Sequence, residues 1–177
     1  MSSVLKNLFR FILFVLIQVF ILNRVPPLHQ FVVPYLYLLY ILWLPFTINR
    51  VLLLAIAFAF GLTIDYFTGT LGLHAAPCVL IAYLRPFLLD FITRQERNEI
   101  SYSEPSIKSM GFTLYALYLA LLTFIHHLYF VIIEWLQFGD VLYLLGKVMA
   151  STVVSLLLMG IAEMLMSRKG TFRTNAG

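Results

Sequence analysis

Few residues of this chain could do chemistry, and most of those lie in or beside apolar runs. Asp65 and His74 bracket Gly69 and Gly72 in Gly61-Leu-Thr-Ile-Asp-Tyr-Phe-Thr-Gly-Thr-Leu-Gly-Leu-His74. A carboxylate and an imidazole can pass a proton, but without a nucleophile or a metal cluster beside them they are weak grounds for catalysis. Arg85, Lys147 and Glu163 are single charges inside apolar runs. Such groups pair with one another, snorkel to the interface, or couple an ion or substrate. His126 and His127 are adjacent, so on a helix they point about 100° apart. They cannot chelate one metal as an i, i+4 pair could. The single Cys78 gives no disulfide framework and no thiolate metal site. The expectation is a protein without cofactor or metal and without catalysis.

The elements that must position these residues are set by lipid. Of 177 residues, 62% are hydrophobic and 11% charged, and the mean hydropathy is +0.94. A soluble domain of ordinary composition carries about 25% charge. About 20 apolar residues cross a bilayer as a helix, and six segments qualify: 4–22, 31–46, 48–67, 71–92, 110–133 and 141–166. The second is short and bounded by Pro34 and Pro45. The first resembles a signal peptide, but no small-residue cleavage site follows it, so a retained anchor is expected. The runs are continuous rather than alternating, which excludes barrel strands. The fold class expected is an all-α integral membrane protein, one domain over 1–177, built as a six-helix transmembrane bundle.

Orientation follows from Lys and Arg, which concentrate in cytoplasmic segments. With the N-terminus inside, Lys6, Arg10, Arg50, Arg94, Arg97, Lys108, Arg168, Lys169 and Arg173 are all inside, and Arg24 alone is outside. Both termini are then cytoplasmic, with the loop 93–109 and the tail 167–177, and the Asp65–His74 turn faces out. The loop is too short for a nucleotide-binding domain and lacks a glycine-rich phosphate cradle; it reads as a solvated linker or a docking segment. The basic residues are spread out beside apolar runs, so nucleic acid is not an expected partner. Depth along the spans, at about 1.5 Å per residue, pairs Arg85 with Glu163 in the inner half and Lys147 with Asp65 in the outer half.

Small residues mark where helices approach closely. Ala55, Ala57, Ala59 and Gly61 give two i, i+4 pairs in the third span, and Gly146 and Ala150, then Ser151 and Ser155, do the same in the last. These two spans are expected to make the tightest contacts, internal or with another protein's helix. A bulky side chain at Ala57 or Gly61 is expected to do harm, whereas Asp65→Asn, which keeps shape, is expected to be tolerated.

Six spans with a short second one, Gly61-x3-Asp65, then Leu71-Gly-Leu-His-Ala75 and Ala82-Tyr-Leu-Arg-Pro86, resemble the MreD family over roughly residues 4–166. MreD is the integral membrane component of the bacterial rod-shape machinery. The resemblance implies a non-enzymatic scaffold in the cytoplasmic membrane that binds the single-span protein MreC. It would link cytoplasmic MreB filaments to wall synthase and transpeptidase partners outside, among the surrounding membrane lipid. That fold is thought similar to the substrate-binding subunits of energy-coupling-factor transporters, so the competing expectation is vitamin capture in an outward pocket near Asp65, His74 and Lys147. The short outer loops offer little material for a lid.

Overall fold

The computed structural model describes residues 3–24, 32–92, 103–134 and 141–166. Helix α1 (Ser3–Leu16) widens into a π-helical turn at Ile17–Ile21 and ends in a 3-10 turn at Leu22–Arg24. A five-residue helix α2 (Leu38–Leu42) follows, then α3 (Arg50–Thr68), α4 (Ala75–Ile92), α5 (Ile107–Glu134, bent at Gly111) and α6 (Val141–Leu165). The described residues contain no strand. Five helices, Val4–Arg24, Arg50–Thr68, Ala75–Ile92, Ile107–Glu134 and Val141–Leu165, are long and apolar enough to cross a membrane. Their outer faces carry bare apolar side chains such as Phe9, Phe58, Phe91, Leu157 and Met164. In water such a surface would aggregate; in lipid it is the solvated one. The chain is a multi-pass membrane protein.

The expected second span is not a transmembrane helix. Residues 32–36 are extended, and only Leu38–Leu42 is α-helical. Pro34 has no N–H to give and biases Val33 away from the helical region. The whole stretch from Tyr35 to Leu44 is buried, with Tyr37, Leu38, Leu39, Ile41, Leu42 and Trp43 at 0% exposure. Apolar residues all round mark a segment enclosed by protein here, not one that faces lipid.

Extended backbone at membrane depth is tolerated only where its polar groups find partners inside the protein. Here the partners are side chains. Val33 N–H donates to Ser151 Oγ at 3.1 Å and Tyr35 N–H to Ser155 Oγ at 2.9 Å. Leu36 and Tyr37 N–H both donate to Gln18 Oε1, at 2.9 and 3.3 Å, while Gln18 Nε2 donates to the Pro34 carbonyl at 3.1 Å. Lower down, Tyr118 Oη donates to the Leu42 carbonyl at 3.0 Å, and Phe46 N–H donates to the Ser103 carbonyl at 3.0 Å. The segment therefore threads the bundle, from the end where Tyr35 meets His74 to the end where 103–106 lies.

That second end is tied by charge. Glu104 accepts from Lys6 Nζ at 2.9 Å and Arg10 Nη1 at 3.0 Å, and Arg10 lies over the Trp43 ring at 5.2 Å. Burial works to raise the Glu104 carboxyl, but Lys6 and Arg10 outweigh it and hold the group below the usual glutamate range. The start of α1, residues 103–106 and the end of α6, where Glu163 meets Tyr115 of α5, thus share one end of the bundle. Residues 93–102 and the tail 167–177, which hold most of the expected inner positive charge, lie outside the described residues.

The closest helix contact joins α3 to α4. A Cβ on Gly61 would stand 2.5 Å from Ala75 Cα and 2.9 Å from both Ala75 N and His74 O. Ala57, one turn earlier, is fully buried, whereas Ala55 and Ala59 face outward. On α6, Gly146 is exposed and Ala150 half-buried; the buried small residues there are Ser151 and Ser155, which serve the interior segment. Helix α6 packs on α5 rather than on α3. Gly61→Leu is expected to lower the stability of the detergent-purified protein by at least the roughly 1–3 kcal/mol usual for overpacking. Ala59→Leu, on the outer face, should stay within about 0.5 kcal/mol of the parent. Thermal unfolding of the two variants checks this; equal midpoints would contradict the close contact.

Candidate functional site

The turn between α3 and α4 is organised by one side chain. Asp65, in the last turn of α3, is fully buried. Its backbone carbonyl accepts from Gly69 N–H, with Gly69 in the left-handed region at φ 70°, and from Thr70 N–H at 3.1 Å. Those bonds close α3, and glycine adopts that φ without strain. Its carboxylate reaches forward. Oδ1 accepts from His74 N–H at 2.8 Å and from the Thr70 hydroxyl at 3.3 Å, and lies 2.7 Å from His74 Nδ1. Oδ2 accepts from Gly72 N–H at 2.9 Å and Ala75 N–H at 3.0 Å. A helix start leaves N–H groups orphaned and carries partial positive charge, so a carboxylate there is favoured twice over. Asp65 therefore ends one helix and begins the next.

Around this turn lies a buried aromatic and imidazole layer. Tyr35 packs against His74, His127 and Phe130 at centroid distances of 5.9, 5.4 and 4.9 Å. Tyr37 Oη and His126 Nε2 are 2.7 Å apart. His127 Nδ1–H donates to the Thr123 carbonyl at 2.7 Å, so its Nε2 is left to accept the Ser155 hydroxyl at 3.1 Å. Both histidines are fully buried, in keeping with adjacent residues packed into separate contacts. Asp65 and His74, which bracket the turn in sequence, are brought into direct contact. Among the described residues no group of three or more His, Cys, Asp or Glu side chains is arranged to hold a metal ion.

The two long-range ion pairs expected from depth are replaced by other contacts. Arg85 is buried, but its Nη2 donates to the Leu44 carbonyl and its Nε to Tyr118 Oη at 3.0 Å. Glu163 instead accepts from Tyr115 Oη at 3.0 Å, and Tyr115 Oη in turn accepts from Trp43 Nε1 at 2.9 Å. The Leu44 carbonyl of the interior segment and the Tyr118 hydroxyl thus engage Arg85, and Trp43 of the same segment reaches Glu163 through Tyr115. Lys147 reaches Glu134 on α5 at 2.5 Å rather than Asp65; Asp65 already has five donors around its two oxygens.

Gln18, Ser151, Ser155, Glu104 and Tyr118 carry much of this arrangement and were not among the residues singled out from sequence for it. Gln18 had a readable signal, as the one amide within the apolar run 11–22. The serines read equally well as small residues for helix contact. The architecture defines a polytopic α-helical membrane protein with a threaded interior segment. Compared with protein-family models, curated proteins and solved structures, the chain matches none of them.

The geometry reverses the expectation for Asp65→Asn. An amide would put a donor where N–H groups of Gly72, His74 and Ala75 already point. The variant is expected to lose about 1–3 kcal/mol, the range for an unsatisfied buried polar group. Thermal unfolding in detergent measures it, and an unchanged midpoint would contradict the capping role.

Proposed function

We propose that this protein is a membrane scaffold of the bacterial cell-elongation machinery. In this reading it holds a single-span MreC-like partner in the cytoplasmic membrane and helps couple cytoskeletal filaments to peptidoglycan synthesis. Both termini and residues 93–109 lie on the cytoplasmic side, and the α3–α4 turn faces out. The reading rests on the resemblance to MreD, and one structural observation supports it. The residues that carry the resemblance, Gly61, Asp65 and 71–75, are the ones that lock α3 against α4. Beside that locked pair runs an open apolar groove of about 600 Å³, lined by Leu54 and Phe58 of α3, Ala76 and Leu80 of α4, and Tyr129 of α5. Lined by apolar, aromatic and small residues with no charged side chain, it has the character of a surface that receives an apolar helix.

Purification from native membranes in mild detergent tests the proposal. One stoichiometric partner with a single apolar anchor is expected, lost in Gly61→Leu with expression matched. A bound vitamin together with an ATPase module would contradict it. So would labelling from outside of a cysteine placed at Ser103, with none at Gly69.

A further inference from the structure

A cavity of about 470 Å³ opens at the end of the bundle where α3 turns into α4. That size lies within the roughly 300–1,000 Å³ of small-molecule sites. Two polar groups on its wall belong to buried residues, Tyr35 at 6% and His74 at 4% exposure. The Asp65 carboxylate holds His74 by Nδ1 at 2.7 Å. That contact occupies Nδ1, and Nε2 has no hydrogen-bond partner among the described residues. Tyr35 spends its backbone N–H on Ser155, while its hydroxyl has no partner among the described residues. Neither atom is sealed inside the protein, so each can be reached from open space. The two rings pack edge to face with centroids 5.9 Å apart, which sets a phenol hydroxyl and an imidazole nitrogen on the same cavity. A hydroxyl can both donate and accept, so one entering the cavity can bond to both.

The rest of the cavity is of a different kind. Phe130 of α5 and Val154 and Leu158 of α6 give it an apolar wall. Val154 and Leu158 lie one turn apart and so line a strip along the membrane depth. Their neighbours Val153 and Leu157 face outward, so the same helix borders lipid. Glu134 also lines the cavity, its carboxylate paired with Lys147, so the described wall offers no unpaired charge to an ionic head group.

We propose that this cavity binds a neutral amphipathic molecule drawn from the bilayer, of monoacylglycerol or fatty-alcohol chemistry. Its hydroxyl head lies between Tyr35 Oη and His74 Nε2, and its chain runs against Phe130, Val154 and Leu158. This goes beyond the scaffold function and does not depend on it.

The test uses the full chain purified in dodecyl maltoside and a monoacylglycerol with a photoreactive diazirine in its acyl chain. Cross-links mapped by mass spectrometry should concentrate on Phe130, Val154 and Leu158. Excess monoolein should displace them, while glycerol and methyl oleate should not. Tyr35→Phe keeps the ring packed and removes only the hydroxyl; it should weaken monoolein competition by about three- to tenfold, the span of one ordinary hydrogen bond. Val154→Trp fills the cavity and should abolish the label. If either variant aggregates, the wild-type competition decides alone. Labelling spread over outward residues such as Leu142 and Met164, and insensitive to monoolein, would be surface lipid only and would overturn the proposal. Displacement by methyl oleate would remove the role of the hydroxyl, and displacement by glycerol would place the ligand's source in water; each overturns it as well.

Discussion

A bilayer offers no hydrogen-bond partners to the backbone, and the most unusual part of this molecule answers to that constraint. Extended residues at 32–36 run through the bundle, and the N–H groups of Val33, Tyr35, Leu36 and Tyr37 each end on a side chain. Leaving one such group unmet in an apolar interior costs about 1–3 kcal/mol by mutational measures and more in hydrocarbon. Gln18 on α1 and two serines on α6 therefore do more than pack. They make a non-helical path possible where only helices or closed barrels could otherwise stand. The π-helical turn at Ile17–Ile21 contains Gln18, and local widening of this kind is frequent where a side chain has a special task.

The same economy governs the charged residues. Asp65 meets the orphaned N–H groups at the start of α4, Arg85 meets the Leu44 carbonyl and Tyr118, and Glu104 gathers Lys6 and Arg10. Each of these three side chains completes backbone or neighbouring side-chain bonding that the fold leaves open. The outer surface is correspondingly plain, with an apolar groove beside the α3–α4 pair, which suits recognition through helix packing.

Much of this was legible in the residues. Continuous apolar runs marked α1 and α3 to α6 because lipid demands such runs, and Gly69 and Gly72 marked the turn, where both take positive φ. Gly61 and Ala57 were legible as close-contact positions, although hydropathy could not say that α4 would be the neighbour. The stretch 31–46 misled for a physical reason: an apolar run enclosed by protein has the composition of one bathed in lipid. Its true partners, Gln18, Ser151 and Ser155, are distant in sequence, and nothing local announces them. Depth bookkeeping put Arg85 and Glu163 at the same end of the bundle, but could not foresee that Trp43 and Leu44 would supply the interior segment's own polar groups there.

Backbone amide hydrogen exchange, read residue by residue over 33–44 in the intact detergent-solubilised protein and in Gln18→Leu, tests the central claim most directly. The account predicts strong protection of Leu36 and Tyr37 in the parent. In the variant that protection should fall at those two amides first, with a lower thermal midpoint. Rapid exchange of Leu36 and Tyr37 in the parent, or identical protection in Gln18→Leu, would contradict a segment held inside the bundle by side chains.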